Sequence, residues 1–119
     1  MEKLSNKEEE IMAILWQLEK AFVKEIIEVL PEKSHYNTIS SIVRGLEEKG
    51  FVSYDAYGKT HHYYPIVSRE DYADKFLNLA SKRFFDNSYK SMVTFFAKEQ
   101  KISAEELREI LQIIEKGEE

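Results

Sequence analysis

Apolar residues return at helical spacing from the start of the chain: Ile11, Ile14, Leu15 and Leu18 recur on one stripe, which Met12 and Trp16 widen. Just ahead of them, Ser5 and Glu8 stand three residues apart, the spacing at which each side chain satisfies the other's free backbone amide. A second, shorter stripe runs through Val23, Ile26, Ile27 and Leu30. Pro31 ends it, because the residue before a proline is pushed out of the helical region. A third stripe, Ile39, Ile42, Val43 and Leu46, stops at Lys49-Gly50, a glycine helix end. Three short amphipathic helices in such a short span must share one small core.

The period then changes. Phe51 to Tyr54 and His61 to Tyr64 are rich in aromatic and β-forming residues, and Ala56-Tyr57-Gly58-Lys59 between them reads as a turn. Pro65 closes the second strand. Helical spacing resumes after Ser68, an N-cap, with Phe76, Leu79, Ala80 and Phe84 on one side. Asp86-Asn87-Ser88 breaks that helix. Tyr89, Met92, Val93 and Phe96 form the next stripe, and Ser103 with Glu106 repeats the capping pattern ahead of Leu107, Ile110, Leu111 and Ile114. The predicted protein is mainly α with a small β-hairpin. Its domains are a winged helix-turn-helix over residues 1–67 and a helical dimerisation region over residues 68–119. The second part has too little bulk for an independent core, so its helices either pack onto the first domain or bury one another in a homodimer. A homodimer accounts better for Phe76, Phe84, Phe85, Phe95 and Phe96 on short helices.

Composition narrows the classes of function. The 119 residues are 43% hydrophobic and 33% charged, as in ordinary globular chains. With no cysteine, disulfides, thiolate metal sites and cysteine nucleophiles are excluded together. The opening MEKLSNKEEE carries charge where a signal peptide needs an apolar run, and no stretch reaches the ~18 apolar residues of a membrane span. A cytoplasmic chain without stable membrane insertion is expected. Acidic pairs such as Glu47-Glu48 and Glu105-Glu106 fall on helix exteriors, and the four glycines are scattered without forming a phosphate loop. No enzymatic activity and no cofactor are expected. The net charge of −5 weighs against nucleic acid, but its distribution matters more. Residues 34–67 balance Arg44, Lys49 and Lys59 against Glu47, Glu48 and Asp55 and hold all three histidines, which makes this the least acidic third.

Three helices followed by a hairpin is the element order of a winged helix, in which the third helix enters the DNA major groove and the hairpin reaches the adjacent backbone. Opposite the apolar stripe of the third helix lie Asn37, Ser41 and Arg44, with Thr38 and Ser40 near its start. Asparagine pairs with adenine and arginine with guanine, while small hydroxyl residues reach phosphates or base edges. The competing reading is a winged helix that binds protein rather than DNA, motivated by the acidic balance. His61 and His62 are adjacent on a strand, so they point to opposite faces and make a poor metal site; no metal is expected. One is expected to pack over the hairpin's inner face and the other to stand exposed beside Lys59, near phosphate.

The run LSNKEEEIMAILWQLEKAFVKEIIEVLP and the run YNTISSIVRGLEEKGFVSYDAYGKTHHYYPIVSREDY resemble the penicillinase-repressor family, BlaI and MecI with the related copper-responsive CopY type. The resemblance rests on E-x-x-I-M-x-x-L-W (Glu8 through Trp16), V-x-E-I (Val23 through Ile26) and Thr38-Ile39. It continues through Lys49-Gly50-Phe51 and Y-x-P-x-V-S (Tyr63 through Ser68), and SMVTFFAKEQKISAEELREILQII resembles the family's dimerisation region. It implies a dimeric repressor on a dyad-symmetric double-stranded operator. Asn37, Thr38, Ser40, Ser41 and Arg44 then face the major groove, and Lys59 with His61 contact DNA from the wing. The dimer contacts implied are Phe76, Phe84, Met92, Phe96, Leu107, Ile110, Leu111 and Ile114. Two departures stand out: the family's N-R-L step is Arg44-Gly45-Leu46, and its K-K-G helix end is Glu48-Lys49-Gly50. Antibiotic-responsive members are released when a membrane sensor metalloprotease acts and an asparagine–phenylalanine bond is cut. The matching bond is Phe95–Phe96, where proteolytic release is expected; the copper-responsive route needs cysteines, which this chain lacks.

Overall fold

A computed structural model describes residues 2–117. In chain order the elements are α1 (Asn6–Leu18), α2 (Val23–Val29), α3 (Tyr36–Glu48), β1 (Val52–Tyr57), β2 (Thr60–Pro65), α4 (Arg69–Phe84), α5 (Tyr89–Lys98) and α6 (Ala104–Gly117). Packing divides the chain into two compact units that meet between Ala73 and Asp74, inside α4. The protein is mainly helical with one two-stranded antiparallel sheet, the make-up of a winged helix.

Local chemistry sets most boundaries of the first unit. The capping box of α1 forms as read: Ser5 N–H donates to Glu8 Oε1 at 2.9 Å and Glu8 N–H to Ser5 Oγ at 3.2 Å. Leu30 is extended ahead of Pro31 and closes α2. The end of α3 is a Schellman motif, with Gly50 N–H on the Glu47 carbonyl (3.0 Å) and Phe51 N–H on the Leu46 carbonyl (2.9 Å). Gly50 supplies the left-handed φ of +84° that this motif demands. Ile11, Met12, Leu15, Ile26, Ile39, Val43, Leu46, Phe51 and Val52 are fully enclosed, so all three helices and the hairpin's entry share one core.

The hairpin is longer than the sequence pattern suggests. Only Gly58 and Lys59 form the loop, while Ala56 and Tyr57 stay in β1 opposite His61 and Thr60. Gly58 alone takes a positive φ there, +62°, the arrangement of a type II′ turn, whose twist matches that of the flanking strands. Pairing therefore continues to the last residue before the glycine. A further contact lies outside the named strands: Ala21 and Tyr63 exchange two backbone hydrogen bonds of 2.8 Å, joining the α1–α2 loop to the edge of β2. At the start of α4, Ser68 Oγ accepts from Asp71 N–H at 3.0 Å, and Trp16 Nε1 donates to the Val67 carbonyl at 2.9 Å. Tyr72 is buried against Trp16 and Phe51; its hydroxyl accepts from Leu4 N–H at 3.0 Å and donates to Glu9 Oε2 at 2.6 Å.

The second unit is thinner. Asp86 and Asn87 both take left-handed backbone, which ends α4 and starts the turn into α5, where Ser88 Oγ accepts from Ser91 N–H at 3.0 Å. Ser103 and Glu106 form the expected reciprocal cap of α6, at 2.9 and 3.0 Å. Met92 is buried, and Ser81 is buried with a hydroxyl that finds no partner among the described residues. Nothing on α6 is buried, although it carries a continuous apolar stripe.

Candidate nucleic-acid interface

The 100° step of α3 turns Ile39, Val43 and Leu46 fully inward and leaves Asn37, Thr38, Ser41 and Arg44 exposed, with Ser40 half-buried. The first turn of α3 carries no acid, and Glu47 and Glu48 lie at its far end. The exposed face thus offers an amide, hydroxyls and a guanidinium, groups suited to base edges and phosphates.

The hairpin brings its own groups to the same place. Ser40 and Arg44 from α3, and Lys59, His61 and Tyr63 from the wing, line one groove of about 240 Å³, with Val23 and Tyr36 completing it. Four of the seven residues read from the sequence as DNA contacts meet there: Ser40, Arg44, Lys59 and His61. Asn37, Thr38 and Ser41 stay on the exposed face of α3 outside that lining. Arg44 and Lys59 have no ion-pair partner among the described residues. Three other cations of this unit are engaged: Lys49 with Glu8 at 2.7 Å, Lys7 with Glu10 at 3.0 Å and Lys20 with Asp55. Burial pushes the Tyr63 phenol above its ordinary pKa, helped by Glu47 and opposed by Arg44, so Tyr63 stays a neutral wall of the groove.

The histidine pair divides between the two faces of the wing, and neither ring stands free. His61 stacks on Tyr54 at 3.9 Å between centroids and 4° between planes, with Nδ1 3.4 Å from the Tyr63 hydroxyl. His62 stacks on Phe22 at 4.2 Å and 15°. Both are half-buried, so the expectation of one fully exposed imidazole is corrected. Each face of the wing has an aromatic neighbour to cover it, Tyr54 from β1 on one side and Phe22 from the α1–α2 loop on the other. No cluster of three metal-ligating side chains occurs among the described residues.

Sequence reasoning missed Tyr36, which is 51% exposed at the first position of α3 and lines the groove. An aromatic residue directly before Asn37 was the available signal, but it lies off the Asn37–Ser41–Arg44 stripe. It missed Phe22 as well, whose role depends on a loop meeting the wing.

In the second unit, Phe84, Ile110, Leu111 and Ile114 are exposed; Phe76, Phe96 and Leu107 are half-buried; Met92 is buried. Phe95 and Phe96 lie inside α5, one turn before its end. No helix among the described residues is long and apolar enough to cross a membrane.

Known proteins resemble this chain. The family model described as penicillinase repressor matches residues 4–116. The penicillinase repressor of Bacillus licheniformis is 28% identical over 115 residues, spanning 95% of this chain and 90% of that protein. The methicillin resistance regulatory protein MecI of Staphylococcus aureus (strain N315) is 29% identical over 120 residues, spanning 96% and 94%. Among solved structures, the complex of hsRosR-S4 matches with a TM-score of 0.53 at 19% identity, over 82% of this chain and 90% of that one, a likeness of fold.

Proposed function

Because the chain belongs to the penicillinase repressor family and is a DNA-binding transcriptional repressor, we propose that it grips a dyad-symmetric operator as a homodimer through α3 and the wing. The observation that carries this reading is the groove in which Arg44 and Lys59, two cations without an ion-pair partner among the described residues, stand together across the α3–wing junction. Asn37, Thr38, Ser40, Ser41 and Arg44 address the major groove, and Lys59 with His61 hold the neighbouring backbone. Placing base-reading groups on a helix and phosphate-binding groups on a hairpin separates specificity from positioning.

The C-terminal helices supply the dimer. Phe84 is 75% exposed and Ile113 70%, with Ile110, Leu111 and Ile114 beside it on α6. A stripe of this kind on an unburied helix is costly in water and is covered when two copies pair. Phe76, Phe96 and Leu107 are half-buried and Met92 is buried; they join that surface in the proposed dimer. Release follows cleavage at Phe95–Phe96 under the control of a membrane sensor metalloprotease. Since the bond lies within α5, the last turn of that helix must open before a protease can bind it in extended form.

The test is operator binding measured over a salt series. The logarithm of affinity falls linearly with the logarithm of salt, with a slope of about −0.9 per neutralised phosphate. Arg44→Ala weakens binding by about 1–3 kcal/mol and relaxes preference at one base pair. An equal loss on every duplex would show that Arg44 contacts phosphate alone, and no binding to any duplex at low salt would end the reading. An operator complex that stays intact in cells with an induced sensor protease would remove the proteolytic step.

A further inference from the structure

Beside the groove of Arg44 and Lys59 lies a second hollow, of about 330 Å³, between the start of α2, the start of α3 and the first residues of β2. Phe22, Val23, Tyr36 and His61 wall it, and carbon dominates its surface. Val23, Tyr36 and His61 also wall the cationic groove, so the two hollows adjoin. The apolar hollow falls within the size range of small-molecule sites, roughly 300–1,000 Å³. Glu25 stands at its rim, but its carboxylate is engaged by Phe22 N–H at 2.8 Å, at the N-terminus of α2. Lys24 is exposed on the same rim.

An apolar hollow with aromatic walls that abuts two cations without an ion-pair partner among the described residues matches a ligand with a flat apolar body and one anionic end. We infer that the adjoining hollows bind a small aromatic carboxylate and that its binding excludes DNA. The ring lies among Phe22, Val23 and Tyr36, and the carboxylate takes charge-assisted hydrogen bonds from Arg44 and Lys59. A neutral ligand of the same shape forgoes those bonds, and a cationic one meets repulsion. The exclusion of DNA rests on the assignment of Arg44 and Lys59 to the operator surface: the ligand occupies the groups that a phosphate or base would use. The repressor would then respond directly to a metabolite, independently of any cleavage of α5.

The experiment titrates the DNA-free full chain with 2-naphthoate, and separately with the neutral 2-naphthylmethanol, following backbone amide shifts by NMR. Naphthoate gives saturable shifts at Val23, Tyr36, Thr60 and His61, and the alcohol binds about tenfold more weakly or worse. Tyr36→Ala weakens naphthoate binding by a similar factor while the rest of the spectrum stays dispersed, which separates loss of the wall from loss of the fold. In operator displacement, naphthoate at ten times its own Kd lowers affinity for one half-site about elevenfold, as competition requires. Absence of saturable shifts up to the probe's solubility overturns the site. Equal binding of the two probes overturns the role of Arg44 and Lys59, and saturable binding with unchanged operator affinity overturns the competition. If operator DNA shifts these amides and naphthoate does not, the hollow seats the DNA sugar–phosphate chain instead. Failure to bind operator without any ligand would fall on the proposed function, because the naphthoate titration contains no DNA.

Discussion

Tyr72→Phe deletes one oxygen and two hydrogen bonds. The hydroxyl accepts from Leu4 N–H at 3.0 Å and donates to Glu9 Oε2 at 2.6 Å, and Tyr72 and Leu4 are only 6% and 2% exposed. Removing it leaves the Leu4 amide buried without that acceptor, a loss of about 1–3 kcal/mol, while half-buried Glu9 recovers part of its hydration. A difference of about 2 kcal/mol near neutral pH is expected. The structure also fixes its pH dependence. Burial is the largest cause, and with the bond to Glu9 it raises the Tyr72 pKa from 10.0 to about 12. A group whose pKa is raised on folding stabilises fully below its unfolded value, and that stabilisation fades as pH climbs from there towards the folded value. By pH 11 roughly 1 kcal/mol of the advantage is gone, and more is lost as the pH passes 12. Urea unfolding of both proteins at pH 8 and 11 measures this, with the mutant subtracting the titration of every other group. The gap should shrink from about 2 to about 1 kcal/mol. A gap that stays constant, or one already near zero at pH 8, would refute the reasoning.

Three further outcomes follow from other positions. Gly58→Ala forces a side chain into φ +62° and should cost about 1–2 kcal/mol of stability in thermal or urea unfolding; an unchanged midpoint would show that the wing's turn can adopt another form. Ser81→Ala removes a buried hydroxyl without a partner among the described residues, and should raise stability by about 1 kcal/mol. A loss instead would reveal a partner for Ser81. Ile114→Asp places a charge on the exposed stripe of α6 and, in the proposed homodimer, should yield monomers in sedimentation, with affinity for a two-half-site operator falling about 100-fold or more. An intact dimer would take Ile114 out of the interface.

The features legible in the sequence are those set within a few residues. Ser5 with Glu8, Leu30 before Pro31 and Gly50 after α3 each define a helix end by local geometry, and the stripe of Ile39, Val43 and Leu46 fixes which way Asn37, Ser41 and Arg44 face. The strand ends at the turn were read too short, because Ala56 and Tyr57 look like turn residues until Gly58 is seen to reverse the chain in two residues. What escaped needs contacts between distant parts of the chain. The Ala21–Tyr63 bridge is one residue long and leaves no periodic mark, and Phe22 gains its meaning from His62, forty positions later. Tyr36 belongs to the groove only because the wing folds back beside α3. Exposed aromatic residues after Ser68 were visible as a pattern, but an amphipathic stripe does not name what covers it.

The ties along the inner edge of the wing bear on how the repressor recognises a sequence. Two backbone bonds to Ala21, the Phe22–His62 stack, and Lys20 held by Asp55 and lying 5.1 Å from the centre of the Tyr64 ring brace β2 and β1 against the α1–α2 loop. A hairpin held this way gives up little freedom on binding, so association is spared an ordering penalty. It also holds Lys59 at a set distance from Arg44, as a caliper holds its jaws. In the proposed binding mode, DNA must then bring its backbone to the wing, by narrowing or bending where its sequence allows. Base pairs that no side chain touches can therefore contribute to operator choice, through the stiffness of the steps between the contacted ones.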